Sequence, residues 1–156
     1  MRRIRSADTK PEILLRSLLH RMGFRFRLHQ RGLPGRPDIV LPKHRAAIFV
    51  HGCFWHQHPG CIEAVRPKTN LKYWTAKLDA NVARDKRNRQ ALRKQGWRVF
   101  RFWECQIEKD PFLIAMRIAR QLRYTEEQAS AQYVFPSRNA LFRSAEARAG
   151  YTAKKR

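Results

Sequence analysis

Residues 46–61 read AAIFVHGCFWHQHPGC. The apolar run Ala46–Val50 stops abruptly at His51-Gly52, and a short apolar run bounded by turn residues is the pattern of a buried strand. The segment after it is chemically dense. It carries Cys53, Phe54, Trp55, His56, His58 and Cys61, so the stretch holds three of the chain's six histidines and two of its three cysteines. That concentration predicts a core strand delivering a reactive cluster to its own C-terminal edge.

Cys53, His58 and Cys61 are potential ligands for a soft metal, and zinc takes four ligands from thiolate and imidazole groups. The remaining cysteine, Cys105, lies far along the chain, just after a second strand-like run. A Cys3His site would use every cysteine; the alternative is three isolated buried thiols. His51 and His56 stand outside that set, as acid, base, metal ligand or ordinary loop histidine.

Working outward, Thr9-Lys10-Pro11-Glu12 predicts a helix start, with Thr9 capping, Pro11 in the first turn and Glu12 completing a capping box. Leu14, Leu15, Leu18, Leu19 and Met22 follow at helical spacing, and Gly23 ends the helix. Phe24, Phe26 and Leu28 alternate with Arg25, Arg27 and His29, as in a half-exposed strand. After a turn over 31–36, Pro37-Asp38 opens the strand Ile39-Val40-Leu41, and Pro42 to Arg45 turns the chain into the Ala46–Val50 strand. Residues 62–72 read as irregular and basic. A long helix is expected from Tyr73 to Gln95, with Trp74, Leu78 and Val82 on its apolar face and Gly96 ending it. Trp97 to Trp103 is a further strand and Asp110 to Leu122 a final amphipathic helix. The order implies an α/β fold, a mixed central sheet with helices on its faces. One domain is expected over 1–123, followed by a basic, flexible tail over 124–156.

Lys+Arg is 34 against 12 Asp+Glu, a net charge of +22, which points to nucleic acid as partner. The first ten residues, MRRIRSADTK, lack the apolar core of a signal peptide. No stretch approaches the length needed to span a bilayer, and no long basic amphipathic helix with an aromatic face suits a membrane surface. Three cysteines without a secretory signal fit metal or free thiols in a reducing, cytoplasmic compartment.

Asp38 and a group at the end of the neighbouring strand, near Val50-His51, can share a hard cation such as magnesium, which prefers oxygen ligands and keeps several waters. A histidine beside a metal-activated water is a sensible arrangement for attacking a phosphodiester. Each acid also has an ordinary explanation. Asp38 follows a proline in a turn, Glu12 caps a helix, and Asp85 can pair with Arg89 one turn on.

The combination LPGRPDIVLP, IFVHGCFWHQHPGC, NVARDKRN and GWRVFRFWEC, spread in order from about Met1 to Gln106, resembles the very short patch repair endonucleases. The resemblance implies a zinc-containing member of the restriction-endonuclease fold. It implies nicking of duplex DNA beside T·G mismatches left by deamination of 5-methylcytosine, using magnesium. Asp38 falls on the direct magnesium ligand and the Val50 main-chain carbonyl on a second. Glu12 and His51 fall around the metal waters, His56 on the general base and Asp85 on a supporting carboxylate. Cys53, His58, Cys61 and Cys105 fall on zinc ligands. Phe54, Trp55 and Trp74 fall on aromatics that wedge into the base stack. The acid-x-Lys of the wider nuclease fold is absent after Phe49, and His51 occupies that neighbourhood, as in the repair family. The resemblance further implies a monomeric, nucleoid-associated bacterial protein, with mismatch-repair proteins as prospective partners. Two other readings stay open: a related restriction-like endonuclease of different specificity, and a non-catalytic zinc module that binds DNA.

Overall fold

The computed structural model describes residues 7–123; the basic segment 124–156 lies outside the described residues. The chain divides into two compact units, one of Met1–Phe26 with Gln106–Arg156 and one of Arg27–Cys105.

In the first unit, helix α1 (Lys10–Arg21) packs on helix α4 (Pro111–Arg123). Leu14, Leu15, Leu18 and Leu19 of α1 and Ile114, Ile118 and Leu122 of α4 are buried, as their helical spacing requires. The start of α1 departs from the expected capping box. Thr9 makes no cap to the backbone; its hydroxyl donates to Glu12 Oε1 at 2.8 Å, while the Asp8 N–H donates to Oε2 at 3.0 Å. Glu12 is 4% exposed, and a buried carboxylate needs such donors more than the helix end needs a hydroxyl. At the other end Gly23 takes φ +88, the Gly23 N–H donates to His20 O and the Phe24 N–H to Leu19 O. This is a Schellman cap with Phe24 as its apolar residue. The cap explains why the strand expected from Phe24 shrinks to Arg27–Leu28: Phe24 is already committed to the helix end.

The second unit holds a four-stranded sheet in the order β1-β2-β3-β4, with β1 (Arg27–Leu28), β2 (Ile39–Leu41), β3 (Ala46–His51) and β4 (Arg98–Trp103). The pairs β1/β2 and β2/β3 are antiparallel, the expected meander, and β3/β4 is parallel. A parallel pair needs a crossover, supplied by helix α2 (Leu71–Lys94). Register places Ala47 beside Val99, Phe49 beside Arg101 and His51 beside Trp103. These side chains share the face toward α2, because Ala47, Phe49 and Leu92 form one buried cluster with Val99, Trp97 and Leu33 packed against it.

The expected apolar face of α2 needs correction. Val82 is exposed and only Leu78 and Leu92 are fully buried. The covered stripe is Trp74, Leu78, Asn81, Asp85, Arg89 and Leu92, which keeps helical spacing and is polar in its middle. A short helix α3 (Glu104–Lys109) follows β4 directly, where no helix was expected before Asp110. No described helix is long and apolar enough to cross a membrane.

Candidate active site and metal centre

Two clusters of donor atoms form where β3 and β4 end together. The first is Cys53, His58, Cys61 and Cys105, whose ligand atoms all lie within 4.8 Å of one another. His58 Nδ1 sits 3.5 Å from Cys53 Sγ and 3.4 Å from Cys105 Sγ. Tetrahedral zinc at the usual bond lengths separates sulfur from nitrogen by about 3.6 Å. The donor set therefore fits a closed zinc site in both chemistry and spacing. Burial pushes the Cys53 thiol up from its ordinary value, and its neighbours Cys105 and Cys61 add to that.

Several contacts fold the loop so that these donors converge. The His58 N–H donates to Cys53 O and the Cys61 N–H to His58 O. Gln57, at φ +52, donates through Nε2 to Phe54 O and Ala64 O, while Arg66 donates to Gln57 Oε1 and to Asp79 on α2. The His58 ring stacks on Trp103 with centroids 4.3 Å apart. Glu104 Oε1 accepts the Cys53 N–H at 2.6 Å. Sequence reasoning overlooked Glu104; an acid beside the last cysteine of a strongly basic chain was the available signal.

The second cluster is His51, His56 and Asp85, also with ligand atoms within 4.8 Å of one another. His56 Nδ1 lies 2.5 Å from Asp85 Oδ2. Burial works to raise the Asp85 carboxyl, but the His56 hydrogen bond, helped by the electrostatic surroundings of the two imidazoles and Arg84, outweighs it and holds it below the usual carboxylate range. An ionised carboxylate only accepts, so His56 donates to it through Nδ1, and Nε2 is the ring nitrogen that Asp85 leaves free. The expected Asp85–Arg89 side-chain pair gives way to this dyad, and Arg89 Nε donates to the Asp85 main-chain oxygen instead. His51 stacks on His56 with centroids 3.9 Å apart. It is 5% exposed and its Nδ1 is buried without a hydrogen-bond partner. Burial, with the like charge of His56 added, lowers its pKa from 6.5 to about 3.

Asp38 lies one residue before β2, and its Oδ2 accepts the Val50 N–H at 2.7 Å. In an extended strand the N–H and C=O of one residue leave on the same side, so the Val50 carbonyl also leaves β3 toward Asp38. One carboxylate and one main-chain carbonyl are a donor set suited to magnesium, which keeps most of its water. His29 Nδ1 is 4.0 Å from Asp38 Oδ1, and its N–H donates to Asp38 O. Glu12 belongs to the first unit, where its described hydrogen bonds are the two local ones at the start of α1.

Phe54, Trp55 and Trp74 gather into one aromatic group, with Phe54 5.1 Å from Trp55 and 5.6 Å from Trp74. All three are half-buried, and Tyr73 beside them is exposed. The Lys77 ammonium lies over the Trp55, Tyr73 and Trp74 rings at 5.2 to 5.8 Å. A cation over half-wet rings marks a surface feature rather than a core.

The family model for the DNA mismatch endonuclease Vsr matches residues 1–61. The type II nicking enzyme V.XorIIP of Xanthomonas oryzae pv. oryzae is 53% identical over 107 residues, 69% of this chain and 78% of the relative. The type II nicking enzyme V.NmeAIP of Neisseria meningitidis is 40% identical over 123 residues, 79% of this chain and 86% of the relative. The DNA mismatch endonuclease Vsr of Escherichia coli is 45% identical over 107 residues, 69% of this chain and 68% of the relative. With relatives so similar matched over two thirds or more of their length, the chain belongs to the Vsr family of DNA mismatch endonucleases.

Proposed function

We propose that the protein is a magnesium-dependent endonuclease that nicks duplex DNA beside T·G mismatches, with a structural zinc at Cys53, His58, Cys61 and Cys105. The observation that carries this reading is the His56–Asp85 dyad at 2.5 Å, stacked on His51 at the end of the strand that also meets Asp38. In this reading Asp38 and the Val50 carbonyl would hold a magnesium ion, which would supply positive charge for the phosphate and make nearby water more acidic.

The chain's own residues divide the remaining work. In this reading Asp85 fixes the His56 ring through Nδ1, and Nε2, the ring nitrogen it leaves free, accepts the proton of the attacking water. The His51 imidazole stays neutral because its burial opposes charging, so it adds no positive charge against the proton arriving on His56. A polar, neutral ring there can orient water through its unpartnered Nδ1. The zinc cluster and Glu104 keep the loop carrying His56 rigid, and a base within reach of its water needs such support. Phe54, Trp55 and Trp74 supply the wedge, because separating a base step costs a few kcal/mol and is cheapest at a mismatch.

A strand-resolved cleavage assay tests the reading. Matched duplexes carry C·G, T·G or T·A at one position, with and without magnesium. Nicking confined to T·G and dependent on magnesium supports it. Equal nicking of all three duplexes would instead favour a related nicking endonuclease that reads sequence alone. Binding without cleavage would favour the non-catalytic module.

A further inference from the structure

Arg101 has no place in the reading above. It lies on β4 beside Phe49, on the face that carries His51 and Trp103. Its guanidinium stacks over the Trp103 ring at 4.8 Å. Trp103 also touches both clusters, because His58 stacks on it and His51 meets it edge-on with centroids 5.7 Å apart. The planar cation is therefore held beside both clusters.

Its charge is not spent within the protein. Arg101 is exposed and makes no ion pair among the described residues. The acid whose field reaches it, Asp85, is committed to His56. Arg89, one turn along α2 from Asp85, adds a second positive charge to the same field. A stacked guanidinium left unpaired next to another cation suits a ligand bearing concentrated negative charge. Arginine offers a planar fork that fits two phosphate oxygens.

We propose that Arg101 is a phosphate-binding residue of the nicking site, taking the non-bridging oxygens of one DNA backbone phosphate beside His51. The assignment rests on the reading of the protein as a nicking enzyme, and it places a cation from β4 next to the end of β3. Held by its stack on Trp103, the guanidinium needs little ordering when the backbone arrives.

The test couples the residue to one phosphate. Full-length wild type, R101M and R101K are compared on T·G duplexes in which each phosphate around the nick is replaced, one at a time, by an uncharged methylphosphonate. Equilibrium binding without magnesium and single-turnover nicking are read separately. One replacement should weaken wild-type binding about tenfold yet change R101M less than twofold, as expected when the partner charge is already gone. R101M should nick roughly ten- to a hundredfold more slowly, and its log–log salt dependence of binding should lose about one phosphate contact. R101K should recover part of the binding and less of the rate, since lysine lacks the fork. Uniform sensitivity of wild type and R101M at every replaced phosphate would overturn the proposal, and so would an R101M rate equal to wild type. A wild type that binds but never nicks would sink the proposed activity, while the binding cycle would still decide Arg101.

Discussion

Acid should destabilise this protein through His51 before most of its carboxylates titrate. The imidazole is 5% exposed, its Nδ1 has no partner, and a second imidazole lies against it at 3.9 Å, so its pKa falls from 6.5 to about 3. The folded state therefore binds no proton there until the pH nears 3, whereas the unfolded chain takes one near 6.5. Stability from this group is fully present above the unfolded value and is lost as the pH falls through that window. Between about pH 7.5 and 5.0 the difference in proton binding removes about 2 kcal/mol, a large part of the stability of a small domain. The assay is urea unfolding of wild type and H51N at about pH 7.5, 6.5 and 5.0, zinc-saturated throughout. Asn is polar and cannot titrate, so the groups not coupled to His51 cancel in the difference. The stability advantage of wild type over H51N should shrink by about 2 kcal/mol across that range. A difference that stays flat with pH would refute the argument, because it would mean that His51 protonates as easily folded as unfolded.

Cys105→Ser should strip zinc and lower stability by several kcal/mol; metal analysis finding no zinc in a fully stable wild type would end the zinc assignment. Asp85→Asn should slow nicking roughly ten- to a hundredfold, the worth of a charge-assisted hydrogen bond of about 1.5–3 kcal/mol, with zinc content and DNA affinity kept. An unchanged rate and pH profile would remove Asp85 from the mechanism. Trp55→Ala and Trp74→Ala should lower the preference for T·G over C·G more than they lower stability, since both rings are half-exposed. A stability loss of about 3–5 kcal/mol instead would mean that they are core residues.

The sheet was legible where burial dictates sequence. Ala46–Val50 is buried almost throughout, so its apolar run marked β3, and the turn residues around 31–45 marked the meander. The four donors of the metal cluster were legible from residue type, and they converge. The dyad was harder. Periodicity seeks apolar stripes, and the covered stripe of α2 is interrupted by Asn81, Asp85 and Arg89, which face other polar groups. That interruption steered the expected face to Val82, which is exposed. Glu104 was hidden because its partner, the backbone N–H at Cys53, is remote in sequence, and Arg101 because it is one of 34 basic residues. Phe24 misled in the opposite way, since an apolar residue after a helix-ending glycine serves a cap as readily as a strand.

The adjacent pair Glu104-Cys105 both anchors Cys53 and completes the donor cluster, and it has a consequence for synthesis. The proposed base and its supporting carboxylate, His56 and Asp85, leave the ribosome well before that pair. Until residues 104 and 105 emerge, the loop carrying His56 lacks its clasp, and β3 lacks the parallel strand that brings the clasp to it. A nascent chain at that stage already carries much of the positive charge that attracts DNA. It cannot yet hold the base in place. If the site works as proposed, the order of residues along the chain delays competence to cut until the strand that frames the site has been made.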